Sequence, residues 1–324
     1  MSVRPKVDAW AKTSDRRESL EIEKCWGLFT RHTSVVEPEE TVRIALRIIA
    51  HKGFRHLPVV NRNREVVGVI SAQDLVNAFS NVEEPSISDL VDHLLATRVS
   101  TLMSDTPITI RKDQTILDAI ELMSNHNIGA LPIVGEESIS NRSSGENRLV
   151  GIITLRDIIS MLAAFAPFGL TVNSYMTHEV EVVAEDDDVG LAIRSMSTRG
   201  VRRLPVVGTK ESERVKGMVT NKMVLRLLES CLASNIGRIG INVTCKQPTK
   251  SIMISPMPTI DPNEDCGTAS YLMRELGTGG FAVADSRGLL GIITERDIVR
   301  RIYKRKGISF FSELLTSRSQ KLYV

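Results

Sequence analysis

The chain has few cysteines, and their spacing argues against a zinc site or a disulfide framework. Four cysteines occur among 324 residues, with no C-x-x-C pair and no histidine at the spacing of metal ligands. Isolated thiols of this kind stay reduced in a cytosolic protein. We therefore expect no metal, no cofactor and free thiols at Cys25, Cys231, Cys245 and Cys266.

The sequence also lacks a long hydrophobic run. Its longest apolar stretch, Ile158 to Leu170, is too short to cross a bilayer and contains Pro167. The N-terminal residues mix charges and have no apolar core of a signal peptide. We expect a cytoplasmic protein with no membrane contact.

A charge excess and a catalytic motif are missing as well. The formal net charge is only +2, so no global field marks a nucleic-acid binder. The six histidines are scattered, and there is no G-x-S-x-G, Walker or H-E-x-x-H motif. These absences predict that the protein is not an enzyme.

What the sequence does contain is an internal repeat. Similar blocks begin at Thr41, Thr115, Asp188 and Asp265, about 74 residues apart. Each block opens with a residue that can cap a helix, followed by Ala at the fifth position and Ile or Met at the ninth, which is one buried helical face. The helices should end near residues that tolerate a left-handed conformation, namely Gly53, Asn127, Gly200 and Gly277.

Strands follow each of these helices. Short apolar runs such as "LPVV" lead through a polar turn into a second run, such as "LLGII", and Ser/Thr-x-x-Asp then opens another helix. Each unit is predicted to be helix, strand, turn, strand, helix, with an extended segment ahead of it. The long polar turn of residues 135–148 is interpreted as a solvated loop.

Four copies of this pattern resemble tandem cystathionine-β-synthase (CBS) domains. The resemblance covers roughly residues 28–303 and implies an α/β (α+β) fold, in which paired repeats form Bateman modules of small mixed sheets flanked by helices. It also implies adenine nucleotide binding in clefts between paired repeats. Either one chain closes into a flat disk, or a module forms a homodimer with another copy. The expected boundaries are an N-terminal extension 1–27, repeats 28–80, 99–164, 172–232 and 243–304, a tail 305–324, and modules 28–164 and 172–304.

The Ser/Thr-x-x-Asp element allows two readings. It is a capping box at a helix start, and it also places a carboxylate where a ribose could bind and a hydroxyl where a phosphate could bind. Repeat 3 keeps Thr220 but has Met223 in place of the acid, so we expect its cleft to be weak or empty. The resemblance assigns nucleotide binding to the pairs Ser71 with Asp74, Thr154 with Asp157, and Thr294 with Asp297.

Two further groups are assigned to the same clefts. Extended segments are expected to offer backbone amides to adenine at Val35, Val36, Thr109, Ile110, Thr259 and Ile260. Basic residues precede "LPVV" only in repeats 1 and 3, and pseudo-symmetry would turn them toward the even repeats. This arrangement predicts composite sites of Asp157 with Arg55 and His56, and of Asp297 with Arg202 and Arg203. Solvated charges at a strand start are the alternative.

The main functional hypothesis is a regulatory sensor. AMP, ADP or ATP, with S-adenosylmethionine as a further option, would bias the arrangement of the modules and thereby contacts with a regulated protein. Titration of His56 near neutral pH could make polyphosphate binding pH-dependent. The alternative is a scaffold that binds RNA or a ribosome through the basic C-terminal helix, with Lys304, Arg305 and Lys306 as its contacts.

Overall fold

Four small α/β units make up the protein, as the repeats predict. The computed structural model describes residues 29–30, 33–80, 93–135, 147–209, 214–233 and 243–317. The predicted N-terminal extension, Cys25 and residues 136–146 of the predicted solvated loop lie outside this part. The described α-helices are α1 Val42–Lys52, α2 Ala72–Ser80, α3 Ile116–Asn125, α4 Leu155–Leu162, α5 Val172–Tyr175, α6 Val189–Thr198, α7 Asn221–Ala233, α8 Cys266–Glu275 and α9 Ile302–Ser317. A π-helical segment, Asp297–Arg301, leads directly into α9, so the helix of repeat 4 starts just after Thr294.

Each unit contains an antiparallel hairpin of the two predicted apolar runs. The strands are β1 His56–Val60, β2 Val66–Ser71, β3 Ile110–Arg111, β4 Ala130–Val134, β5 Leu149–Thr154, β6 Val183–Ala184, β7 Arg203–Val207, β8 Val215–Thr220, β9 Thr259–Ile260, β10 Gly280–Asp285 and β11 Gly288–Thr294. In repeats 2, 3 and 4 a short strand pairs parallel to the hairpin, and in repeat 1 a single parallel bridge, Val36 to Val59, takes its place. The mixed α/β fold class is confirmed.

The helices that open the repeats begin and end where the sequence predicts. Thr41, Thr115, Asp188 and Asp265 are the N-caps, although the side chains of Thr41 and Asp188 make no capping hydrogen bond. Left-handed residues follow the helices, with φ of 68° at Gly53, 58° at Asn127, 63° at Gly200 and 62° at Gly277. These residues turn the chain directly into the first strand of each hairpin.

Helices pack between alternate repeats and form two separate cores. One core combines repeats 1 and 3, where Ile49 of α1 lies in one buried cluster with Leu225 and Leu228 of α7. The other combines repeats 2 and 4, and it includes Ile159 of α4 and Met273 of α8. The predicted C-terminal tail continues α9 as far as Ser317 across a kink at Gly307, because its Phe311 and Leu315 are buried in the second core.

The sheets join the repeats that are consecutive in sequence, repeat 1 with repeat 2 and repeat 3 with repeat 4. Val60 and Val66 of repeat 1 form a small buried cluster with Val134 and Leu149 of repeat 2. Met218 of repeat 3 packs in the same way against Ala282 and Ile292 of repeat 4. Each repeat therefore touches one neighbour through its sheet and another through its helices. The single chain closes both sets of contacts on itself.

None of the described helices is long and apolar enough to cross a bilayer.

Candidate functional site

The Ser/Thr-x-x-Asp elements are capping boxes, because hydroxyl and carboxylate each accept from the other residue's backbone N–H. In repeat 2, Asp157 Oδ2 accepts from the backbone N–H and the hydroxyl of Thr154, both at 2.7 Å. In repeat 1, Asp74 Oδ2 accepts from Ser71 at 2.7 and 2.8 Å. Each of these bonds uses Oδ2, and within the part of the chain that the structure describes no side chain or backbone group bonds to Oδ1 of Asp74 or Asp157.

Repeat 3 keeps the helix without the acid. Its β8 strand ends at Thr220 and α7 begins at Asn221. Met223 Sδ lies 3.3 Å from the Thr220 nitrogen, where the other repeats place a carboxylate oxygen. A thioether is only a weak acceptor and carries no charge, so this helix start lacks the group predicted to bind ribose.

A cavity opens above the helix start of repeat 4, and we call it the repeat 4 cavity. Thr294 and Asp297 line it together with the apolar residues Val180, Val201 and Ile292. Its basic lining residues come from three repeats and are Arg55, Arg202, Arg203 and Arg296, and its further acidic ones are Glu179, Glu181 and Glu295.

Asp297 differs from the other two aspartates in having both oxygens occupied. Thr294 donates to Oδ2 from its backbone nitrogen, at 3.0 Å, and from its hydroxyl. Oδ1 accepts from the Thr177 hydroxyl at 3.1 Å and pairs with Arg301 Nε at 3.0 Å. A ribose hydroxyl would therefore have to share or displace these donors, because Asp297 is only 9% exposed.

A second cavity lies at the helix start of repeat 1, and we call it the repeat 1 cavity. It is lined by Ser71, Asp74, His56 and Arg202, and by the small residues Gly129 and Ala130. A Cβ on Gly129 would lie 3.2 Å from Arg202 Nη1 and 3.3 Å from His56 Cε1. The glycine therefore leaves room for the two basic side chains, as the repeat comparison predicts for small residues here.

Positive charge is concentrated where the two cavities meet. Arg202 lines both of them. Burial, and then neighbouring arginines, lower the pKa of Arg202 to about 9 and that of Arg203 to about 10, so both remain charged at neutral pH. Burial, followed by Arg202, Arg55 and Arg296, holds the pKa of His56 well below its usual value. Among the described residues, none makes a side-chain hydrogen bond or ion pair with these three groups.

Glu295 supplies the main negative charge in this region. Its Oε2 lies 2.6 Å from Arg55 Nη1, and its Oε1 lies 3.2 Å from Arg156 Nε. Burial raises the pKa of Glu295, but Arg55, Arg203 and Arg156 outweigh that effect and bring it to about 2. Arg55 therefore pairs with Glu295. It contributes only a secondary lowering of the pKa of Asp157, which burial raises.

The predicted site residues fall into two groups. Arg202 and Arg203 share the repeat 4 cavity with Thr294 and Asp297, and His56 shares the repeat 1 cavity with Asp74. The composite site of Asp157 with Arg55 and His56 stays a prediction. Each cavity is also lined by a segment of a neighbouring repeat. Part of Thr177–Glu181 of repeat 3 lines the repeat 4 cavity, and part of Ser104–Ile108 of repeat 2 lines the repeat 1 cavity.

The predicted adenine contacts lie in or next to the short parallel strands. Ile110, Thr259 and Ile260 pair with a hairpin strand, and Thr109 directly precedes Ile110. None of these four residues is among those that line the two cavities.

Sequence reasoning missed Glu295 and Thr177. A signal for Glu295 was present, since the residue after Ser/Thr is Ala72, Leu155 and Asn221 in the other repeats and only repeat 4 has an acid. No such signal marks Thr177, because the contact depends on how β11 pairs with the segment before β6. In the described ranges, no three His, Cys, Asp or Glu side chains are close enough together to hold a metal ion.

Much of the basic C-terminal helix is used inside the molecule. Arg300 donates to Asn127 Oδ1 at 2.6 Å, and Arg301 donates to the Met176 carbonyl at 2.7 Å. Arg305 donates to the Ser174 carbonyl at 2.6 Å and lies over the Tyr175 ring. Lys304, Arg305 and Lys306 are all exposed, and a hydrogen bond to a neutral carbonyl leaves the charge of Arg305 available to an external partner.

Comparisons with known proteins agree with the repeat structure. The family profile described as CBS domain matches residues 27–81, 99–164, 172–230 and 250–304, well over half of the chain. A 33.4 kDa protein of a ribosomal RNA operon in Thermofilum pendens is 31% identical over 291 residues, or 87% of this chain and 92% of that protein. Protein MJ1225 of Methanocaldococcus jannaschii is 28% identical over 274 residues, or 82% and 93%.

Solved structures show the same arrangement over most of the chain. The crystal structure of MJ1225, described as a candidate archaeal homolog of g-AMPK, has a TM-score of 0.71 at 26% identity and covers 85% of this chain and 98% of its own. A conserved protein from Pyrococcus horikoshii has a TM-score of 0.55 at 20% identity, with 85% and 97% covered. The second likeness concerns the fold alone.

Proposed function

The chain belongs to the CBS domain family, and on that premise we propose that it is a regulatory sensor of adenine nucleotides. The nucleotide binds in the repeat 1 and repeat 4 cavities and changes the contacts between repeats. Those contacts in turn set how the protein meets a regulated partner. Its similarity to MJ1225, described as a candidate homolog of g-AMPK, supports a regulatory role.

The observation that carries this proposal is the unpaired positive charge facing the cavities. The side chains of Arg202 and Arg203, both charged at neutral pH, make no hydrogen bond or ion pair with a described residue, and burying such charges without a direct counterion is unfavourable. A phosphate beside Thr294 would supply that counterion. The apolar wall of the repeat 4 cavity, with Val180, Val201 and Ile292, suits a base.

In the repeat 1 cavity, the free oxygen of Asp74 suits a ribose. The carboxylate accepts from Ser71 through Oδ2, so Oδ1 can accept one or both ribose hydroxyls. His56 and the charged Arg202 line the same cavity. A nucleotide held in this way touches repeats 1, 2 and 3 at once, and its binding is therefore coupled to their packing.

Calorimetric titration of nucleotide-free protein with AMP, ADP, ATP and S-adenosylmethionine tests the proposal. We expect saturable binding of at least one adenine nucleotide, and Arg203→Gln should weaken it by about tenfold or more. Arg287→Gln is the matched control, because Arg287 is an exposed arginine paired with Asp285 outside the cavities. Failure of all four compounds to bind would refute the proposed function.

A second candidate function is contact with RNA, and it is favoured by one observation. The relative from Thermofilum pendens is named for its place in a ribosomal RNA operon, and Lys304 and Lys306 are exposed here. RNA binding through them should weaken with salt and with a Lys304→Gln, Lys306→Gln double substitution. Gel-shift titrations at two salt concentrations check this, and binding that is absent or unaffected by the substitutions excludes it.

A further inference from the structure

Glu295 is an acid placed among the arginines of a ligand cavity. It lines the repeat 4 cavity together with Arg55 and Arg203, and its side chain is 3% exposed. The equivalent residues of the other repeats, Ala72, Leu155 and Asn221, carry no charge. A capped helix start does not need this carboxylate, so its role lies in what it contacts.

The contacts of Glu295 join three repeats. The carboxylate belongs to repeat 4, and it pairs with Arg55 of repeat 1 at 2.6 Å and with Arg156 of repeat 2 at 3.2 Å. The close approach of repeat 3 is visible at Gly279, where an added Cβ would collide with the Arg203 guanidinium and lie 3.0 Å from the Glu295 carboxyl carbon. Glu295 thus occupies a position among arginines that would suit a phosphate.

A nucleotide phosphate and Glu295 compete for the arginines of the repeat 4 cavity. Arg202 and Arg203 line it together with Thr294, and because their side chains are unpaired among the described residues, they can neutralise a single phosphate. A longer phosphate chain carries more charge and would need a further cation such as Arg55, which Glu295 already neutralises. The added phosphates are also repelled by the Glu295 carboxylate, whose side chain is only 3% exposed.

We propose that Glu295 limits the phosphate chain that the repeat 4 cavity accepts, so that the cavity favours a nucleoside monophosphate over a triphosphate. The carboxylate takes the place of the distal phosphates on Arg55. A triphosphate can enter only by separating Glu295 from Arg55 and thereby loosening the link between repeats 1 and 4. This inference rests on the proposed function and adds a specificity-determining residue to it.

The test compares the ratio of AMP affinity to ATP affinity between the Glu295→Gln variant and a protein that keeps Glu295. Both proteins carry Asp74→Ala, so that the repeat 1 cavity contributes little. Calorimetry with AMP and with ATP should show ATP affinity rising by about tenfold in the Gln variant, with AMP affinity changing by less than about threefold. If Glu295→Gln fails to fold, Glu295→Met removes the same charge and fills similar space.

Glu181→Gln is the matched control. Glu181 lines the same cavity but pairs with Arg199 at 3.3 Å, so its loss changes the cavity charge without releasing Arg55. An unchanged ratio in the Glu295 variants, or an equal change in Glu181→Gln, overturns the inference while leaving nucleotide binding intact. Absence of AMP binding by the unsubstituted protein overturns the proposed function, and the inference with it.

Discussion

Asp74 and Asp118 occupy the same position of a capping box, but their surroundings differ. Asp118 accepts from the Thr115 backbone and hydroxyl at 2.7 and 2.8 Å, which matches Asp74 with Ser71. Asp74 lines the repeat 1 cavity, and Asp118 is not among the residues that line either the repeat 1 or the repeat 4 cavity. The pair therefore separates the structural role of the acid from a role in binding.

Replacing either aspartate by alanine should lower the free energy of unfolding by about 1 kcal/mol, because both caps lose an acceptor. Only Asp74→Ala should also lose a nucleotide-binding event. Urea denaturation measures the first effect and calorimetric stoichiometry the second. Equal binding by the two variants would assign Asp74 to architecture alone.

His56 should make stability depend on pH. Burial, with Arg202, Arg55 and Arg296, lowers its pKa in the folded protein below the ordinary value of 6.5, so the unfolded chain binds the proton more readily. The stability linked to neutral His56 is present above pH 6.5 and declines as the pH falls below it, by at most about 1.4 kcal/mol per pH unit.

Urea denaturation at pH 7.5 and pH 5.5 tests this, with His56→Asn as the comparison. The variant should lose less stability than the wild-type protein between the two values. Nucleotide phosphates would favour the protonated form, so binding should tighten as the pH falls. Identical pH dependence of the two proteins would remove His56 as the titrating group.

Among the structural elements, the helix that follows β8 shows what the acid adds to a helix start. Met223→Asp would give Thr220 the partner that Ser71, Thr154 and Thr294 have. The new carboxylate would accept from the Thr220 backbone and interact favourably with the N-terminus of α7.

We expect Met223→Asp to raise the free energy of unfolding by about 0.5 to 1 kcal/mol. Met223→Asn introduces a side chain of the same size as Asp but without its charge, so it should raise the free energy of unfolding by less. Chemical denaturation of both variants provides the measurement. A loss of stability in Met223→Asp would mean that the packing of the methionine matters more than the cap.

Elements were predictable from the sequence where they depend on nearby residues. Caps such as Thr115, left-handed ends such as Asn127 and the alternation of apolar runs locate helices and strands without tertiary information. The composition of the cavities was less accessible. Segments that start at Thr177 or Ser104 reach a cavity only because the chain crosses between paired repeats, and this crossing has no local pattern.

At the scale of the whole molecule, the two cores make the repeats dependent on one another. Ile49 of repeat 1 is fully buried in a cluster with Leu225 and Leu228 of repeat 3. Arg226 of repeat 3 also donates to the Ala50 carbonyl at 3.1 Å. Loss of packing in α1 should therefore destabilise α7, although the two helices are far apart in sequence.

Ile49→Ala should lower the free energy of unfolding by about 2 to 5 kcal/mol, because it leaves a cavity in this core. Native-state hydrogen exchange should show that the substitution accelerates exchange in α7 more than in α4, because α4 belongs to the other core. Unchanged protection of α7 in this variant would mean that the contacts between repeats 1 and 3 contribute little to stability.

The alternation of sheet contacts and helix contacts has a consequence for how such a protein can change in evolution. Following the contacts from repeat 1 to 2, 4, 3 and back to 1 visits every unit once, so no unit is terminal. An open solenoid can gain or lose one repeat at an end, where a polar capping unit protects the stack. Here, loss of one unit would expose both a sheet face and a helix face, so duplication or deletion of complete pairs is the smallest tolerable step.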